Sequence, residues 1–156
     1  MALTSLTISS YAHLGLSKTE CDALYNQFPS RTELPNSFVY HLQGIDITVT
    51  FANDRAVAID YYAPLGLTEK QISILAEKNN IDWDALVVVP KTDSWLAKNK
   101  LATKRPHVDE LYDPENKGVH VTVTAQKQYI DIVTTAGENF LADYYDRKAK
   151  EALKEL

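Results

Sequence analysis

Ile45-Asp46-Ile47-Thr48-Val49-Thr50-Phe51 alternates apolar and polar side chains without a break. Successive side chains of a strand point to opposite faces, so this is a strand with one face in a core and one facing outward. The flanks extend the reading. Phe38 to Leu42 forms a shorter strand that ends at Gln43-Gly44, and Asn53-Asp54 is a two-residue turn. Ala56 to Tyr62 is a third strand, and its continuous apolar start (Ala56, Val57, Ala58, Ile59) predicts cover on both faces. The three make an antiparallel meander.

Upstream, Ser17-Lys18-Thr19-Glu20 is a capping box, in which the serine hydroxyl accepts from the amide three residues on and the glutamate reaches back. Cys21, Leu24, Tyr25 and Phe28 then recur at helical spacing, and Pro29 closes the element, which predicts a helix over 17–28 packed on the meander. Residues 29–37, with two prolines, read as a loop. Leu3 to Ser10 is β-prone and reads as a first strand or an ordered arm.

Downstream, Thr68-Glu69-Lys70-Gln71 is a second capping box. Ile72, Leu75 and Ala76 form the stripe of its helix, and Asn79-Asn80 stop it. Residues 85–89 read as a strand ended by Pro90. Residues 91–117 show no periodicity. Val119, Val121 and Val123, then Tyr129, Ile130, Ile132 and Val133, make a second hairpin. Glu138 to Leu156 closes the chain as an amphipathic helix, with Phe140, Leu141, Tyr144, Ala149, Ala152 and Leu153 as its apolar positions. The fold class is therefore α+β, with helices packed on a mostly antiparallel sheet. The chain reads as a single domain over 1–156, with possible sub-units 11–66 and 67–156. Segments 17–62 and 68–135 each place a capped helix before paired strands, with no residue-level match between them.

Bulk properties agree with one ordinary globular domain. The chain has 156 residues, 45% hydrophobic and 24% charged, enough to bury a core without metal or disulfide. The longest apolar run, Ala85 to Val89, is far short of the roughly 20 residues that cross a bilayer. A net charge of -5 speaks against non-specific nucleic-acid binding. One cysteine, Cys21, allows no internal disulfide, and no signal peptide is visible. The expected compartment is the cytoplasm, although an exported mature form lacking its leader reads the same.

Gly15-Leu16-Ser17 opening a helix that ends at a proline, followed by an aromatic strand and the hairpin Phe51-Ala52-Asn53-Asp54-Arg55-Ala56-Val57, has a family look. It resembles the helix-plus-meander unit of small bacterial proteins of the outer-membrane-assembly lipoprotein and β-lactamase-inhibitor-protein type. The resemblance spans Gly15 to Tyr62, under a third of the chain, and implies a non-enzymatic binding module. The chain departs from the pattern in three places. Phe28-Pro29 stands where a glycine is usual, Asn53-Asp54 replaces the usual Asp-Gly or Asn-Gly turn, and no lipid-attachment cysteine lies near Met1. No functional residue is carried over.

Catalytic and cofactor motifs are absent, so no cofactor is expected: there is no phosphate-cradling glycine loop, nucleophile elbow, His-Glu-x-x-His or Cys-x-x-Cys. The four histidines, His13, His41, His107 and His120, are scattered. The densest group of potential metal ligands or acid–base residues is the stretch His107, Asp109, Glu110 and Asp113, read as a solvated acidic loop or, in an alternative, as the site of a small hydrolase. Cys21 lies on an apolar stripe, where a cysteine behaves as a small buried hydrophobe and not as a nucleophile. Residues 91–105 hold Lys91, Lys98, Lys100, Lys104 and Arg105 against one acid, a second alternative site for phosphate or nucleic acid with Trp95 as a stacking platform. Nine tyrosines are many for this length, and tyrosine is enriched in recognition surfaces. Tyr61 and Tyr62 on one strand must point to opposite faces, which places one of them outward. The function this supports is a non-catalytic protein that holds a protein or peptide partner on a sheet face or its loops. Tyr61, Tyr62, Trp95, Lys98 and Lys100 are the candidate binding residues.

Overall fold

The structure, a computed structural model, describes residues 14–85, 87–88, 108–112, 118–124 and 127–155. The possible strand or arm at Leu3 to Ser10, His13, the basic run 91–105 with Trp95, Lys98 and Lys100, and the residues His107 and Asp113 lie outside them. Among the described residues the fold is α+β. In chain order it runs α1 (Lys18–Tyr25), β1 (Ser30–Arg31), β2 (Ser37–Leu42), β3 (Ile45–Ala52), β4 (Arg55–Tyr62), α2 (Glu69–Lys78), a 3₁₀ turn (Trp83–Ala85), β5 (Val87–Val88), β6 (Val108–Tyr112), β7 (Val119–Thr124), β8 (Tyr129–Thr134) and α3 (Thr135–Lys154). The strands form one antiparallel sheet in the order β1-β2-β3-β4-β8-β7-β6-β5.

The meander forms where the alternation predicts it, because both of its turns have the chemistry a tight hairpin needs. Gln43 and Gly44 sit at φ 50° and 80°, and Asn53 and Asp54 at 50° and 55°. Two left-handed residues in a row match the twist of the flanking strands. Helix α1 has both halves of its capping box, with Glu20 N–H donating to Ser17 Oγ and Ser17 N–H to the Glu20 carboxylate. It ends earlier than the proline predicts. Asn26 takes the left-handed conformation at φ 50° and closes the helix, so Phe28 leaves the apolar stripe and is 106% exposed. Helix α2 follows the predicted bounds closely, with Thr68 and Gln71 as its box and Ile72, Leu75 and Ala76 buried. Helix α3 starts directly after β8 on the Thr134 cap, not at Glu138.

Two further expectations are corrected. The stretch around Asp109 and Glu110 is not a loop: Val108 to Tyr112 is a strand held between β5 and β7. A five-residue strand with two adjacent acids, Asp109 and Glu110, carries no alternation long enough to read. Ala149, Ala152 and Leu153 do not pack. Every residue from Tyr145 to Glu155 is exposed, because α3 outruns the sheet that it crosses.

The two halves match more closely than the sequence pattern suggests. Each is a capped helix followed by four strands, and β4 and β8 join them. Half a turn about the Asp60–Asp131 ladder pair carries the pair Ala58–Val133 onto Tyr129–Tyr62. It also brings Thr48, the partner of Asp60, onto Thr122, the partner of Asp131. A residue-level match does exist: Leu14-Gly15-Leu16-Ser17 and Leu65-Gly66-Leu67-Thr68 open the two helices, with both glycines at positive φ, 88° and 79°. Gly66 and Gly15 hold turns that an L side chain would strain.

The core lies between the sheet and α1 and α2. Ladder partners share a face, so Tyr40, Ile47, Tyr61 and Ile130 form one buried row and Val49, Ile59, Ile132 and Val121 another. Burying each such side chain contributes about 1.5–3 kcal/mol. Polar atoms in this layer are matched. Tyr40 OH donates to Asp22 Oδ1 at 2.6 Å while its ring packs on Tyr25, and Asn79 Nδ2 donates to Tyr61 OH at 3.1 Å. Asn79 Oδ1 also accepts from Leu14 N–H, which ties the end of one helix to the start of the other.

Candidate functional site

The opposite face of the sheet carries the outward-pointing positions of the same strands. Three rows run across it. The first is His41, Asp46, Tyr62 and Tyr129; the second is Val39, Thr48, Asp60, Asp131 and Thr122; the third is Ser37, Thr50, Ala58 and Val133. Helix α3 packs over β3, β4 and β8 on this side. It is anchored at a β-bulge: Thr50 pairs with Ala58 and Phe51 with Ala56, which leaves Val57 over. The Val57 carbonyl accepts from Thr134 Oγ1 at 2.8 Å. Gly137 lies so close that a Cβ there would fall 2.5 Å from that carbonyl oxygen. The third row is accordingly closed, with Ser37, Thr50 and Ala58 buried and the Ser37 and Thr50 hydroxyls 2.6 Å apart.

The first row is open. His41 Nδ1 and Asp46 Oδ1 are 2.6 Å apart with side chains 65% and 47% exposed. Tyr62 and Tyr129 stack at 4.4 Å between ring centroids with 25° between planes. Behind them Asp60 and Asp131 face each other across the seam of the two units, each with its Oδ1 withdrawn from solvent. Like charges directly opposite on a ladder are destabilising.

The structure separates the two adjacent tyrosines. Tyr61 is 0% exposed and belongs to the core, so it cannot touch a partner; Tyr62 is the outward one. Trp95, Lys98 and Lys100 lie outside the described residues. The residues that sequence reasoning missed are Asp60, Asp131 and Tyr129. Their signal is in the chain: Ile59-Asp60 and Ile130-Asp131 are polar steps in otherwise apolar strands, but only the register makes them neighbours. Cys21 lies on the other side of the sheet, in the core. Burial, with Asp22 and Glu20 nearby, pushes its thiol up to about 12, which removes it as a nucleophile. Among the described residues no group of three or more His, Cys, Asp or Glu converges to hold a metal ion, and no helix is long and apolar enough to cross a membrane.

Fold and site together define an α+β protein of two like units whose joint sheet presents a partly open, polar and aromatic face. Comparison with known protein families, with curated proteins and with solved structures gives no match.

Proposed function

We propose that the protein is a non-catalytic binding module that holds a protein or peptide partner on the open half of this sheet face. The observation that carries the reading is the stacked Tyr62–Tyr129 pair, with Tyr62 half-buried and Tyr129 exposed, in the same ladder row as the exposed His41–Asp46 pair. Tyrosine gives a large, rigid contact area with a hydrogen-bonding tip at low entropy cost. The resemblance of Gly15 to Tyr62 to helix-plus-meander binding modules supports the same reading.

The test is capture of partners from a native lysate by the full chain, with mass spectrometry, beside a Tyr62→Ser, Tyr129→Ser variant and a Leu153→Ser control. The reading expects partners that the control retains and the tyrosine variant loses. Recovery that is equal for all three proteins would sink it.

A further inference from the structure

Two large apolar side chains are more exposed than any fold requires: Phe28 at 106% and Leu65 at 101%. Both sit at the sheet end that carries the first row. Phe28 follows Gln27, whose side chain is bonded twice to the backbone of His41: Nε2 donates to the His41 carbonyl and Oε1 accepts from His41 N–H. Leu65 follows Pro64, whose carbonyl accepts from Gln128 Nε2 at 2.9 Å, next to Tyr129. Ala63 N–H donates to Gln128 O and Gly66 N–H to Ala63 O, so this loop is held at both sides of Leu65.

Leu65 has a control within the chain. Leu14 occupies the same place in the first Leu-Gly-Leu motif, and it packs against the core. Nothing in the motif therefore forces Leu65 outward. The two side chains are presented by braced loops, which is how a pre-organised interface keeps the ordering cost of binding low.

Charge on the outer face next to this sheet end points to the occupant. Asp46 places a carboxylate in the first row, 2.6 Å from His41 Nδ1, and Asp60 and Asp131 place two more in the second, each with its Oδ1 withdrawn from solvent. Lys127, whose carbonyl accepts from Leu67 N–H beside the Leu65 loop, has its ammonium paired with Glu69. The rings of Tyr62 and Tyr129 offer faces on which a guanidinium stacks. We infer that the partner segment is basic, with arginine or lysine set over Asp46 and the tyrosine pair and apolar groups gripped by Phe28 and Leu65. This rests on the sheet-face reading above and adds the chemistry of the partner and its two outer anchors.

A displayed library of random twelve-residue peptides, selected on the immobilised full chain, reads that chemistry without a known ligand. Selected peptides are expected to be rich in Arg or Lys beside Leu or aromatic residues. A synthetic peptide from the selection is expected to bind about 30- to 100-fold more weakly to Phe28→Ser, Leu65→Ser, whose positions are exposed so that folding is spared, and about 5-fold more weakly to Asp46→Asn. Acidic or uncharged selected peptides, or no enrichment at all, would overturn the inference. So would peptides that ignore Phe28→Ser, Leu65→Ser. If those peptides still need Tyr62 and Tyr129, the sheet-face reading stands while the inference falls; if they ignore all four residues, both fall.

Discussion

The ladder pairs Ala58–Val133 and Tyr62–Tyr129 occupy equivalent places on either side of the Asp60–Asp131 seam, yet they have opposite fates. In the first, Ala58 is buried and Val133 half-buried beside α3; in the second, an aromatic stack, Tyr62 is half-buried and Tyr129 exposed. The backbone is the same kind of antiparallel ladder in both. The difference comes from the segments that leave β4 and β8. After β8 the Thr134 cap starts a helix at once and folds it back over the sheet; after β4, Ala63-Pro64 leads the chain away to α2 on the other side. One helix without a counterpart in the first unit thus turns a near-symmetric face into a covered half and an available half. Small side chains suit the covered half, where α3 must approach closely, and large amphipathic ones suit the open half.

The largest test of this contrast places the same charge on both sides. Ala58→Asp buries a carboxylate under α3 and is expected to cost about 3–4 kcal/mol. Its mate Tyr129→Asp loses one stacking contact at a wet surface and is expected to cost about 1 kcal/mol. Urea denaturation of the two variants measures both, and equal losses would break the comparison. Next, Gly137→Ala drives a Cβ to 2.5 Å from the Val57 oxygen and 3.0 Å from Val133 Cγ1. Moving α3 off the bulge is expected to cost about 1–3 kcal/mol and to speed amide hydrogen exchange in the third row.

A smaller effect belongs to the core side. Burial pulls the Asp22 carboxyl upward, but hydrogen bonds from Lys18 and Tyr40 outweigh it and hold the group below its ordinary value. A carboxylate whose folded value is depressed contributes stability that is present above the unfolded value and fades as pH falls through the folded one. Stability is therefore expected to drop as pH falls below the ordinary value of 3.8. Asp22→Asn is expected to cost about 1 kcal/mol at neutral pH, because the buried Tyr40 hydroxyl keeps only a neutral acceptor, and to flatten that acid-side slope in thermal melts. The smallest change is expected at the free end of α3. Leu153→Ser, exposed among exposed neighbours, should shift stability by less than about 0.5 kcal/mol.

Local signals carry most of the fold. Alternation from Ile45 to Phe51, two capping boxes and the Asn53-Asp54 turn act over a few residues, so they survive in the sequence as patterns. Phe28 departs from its expected place because Asn26, one left-handed residue, closes α1 before the proline does. The strand at Val108 to Tyr112 escapes notice because five mixed residues hold no period. Of the candidate site, Tyr62 is legible as one of two outward options on a strand. Asp60 and Asp131 are not, since nothing local says that two Ile-Asp steps far apart in the chain meet across one ladder.

By itself, then, the sequence determined the elements: which residues form strands and helices, which stripe of each is apolar, and that the parts assemble as α+β. Tertiary structure alone decided that β4 pairs with β8, that a pseudo-two-fold passes between Asp60 and Asp131, and that α3 closes the Ser37–Thr50–Ala58 row of the outer face while the Tyr62–Tyr129 stack keeps an exposed side. Periodicity records which way a side chain points within its own strand. Which strands become neighbours, and what lies over them, depends on contacts between residues far apart in the chain, and these leave no period to read.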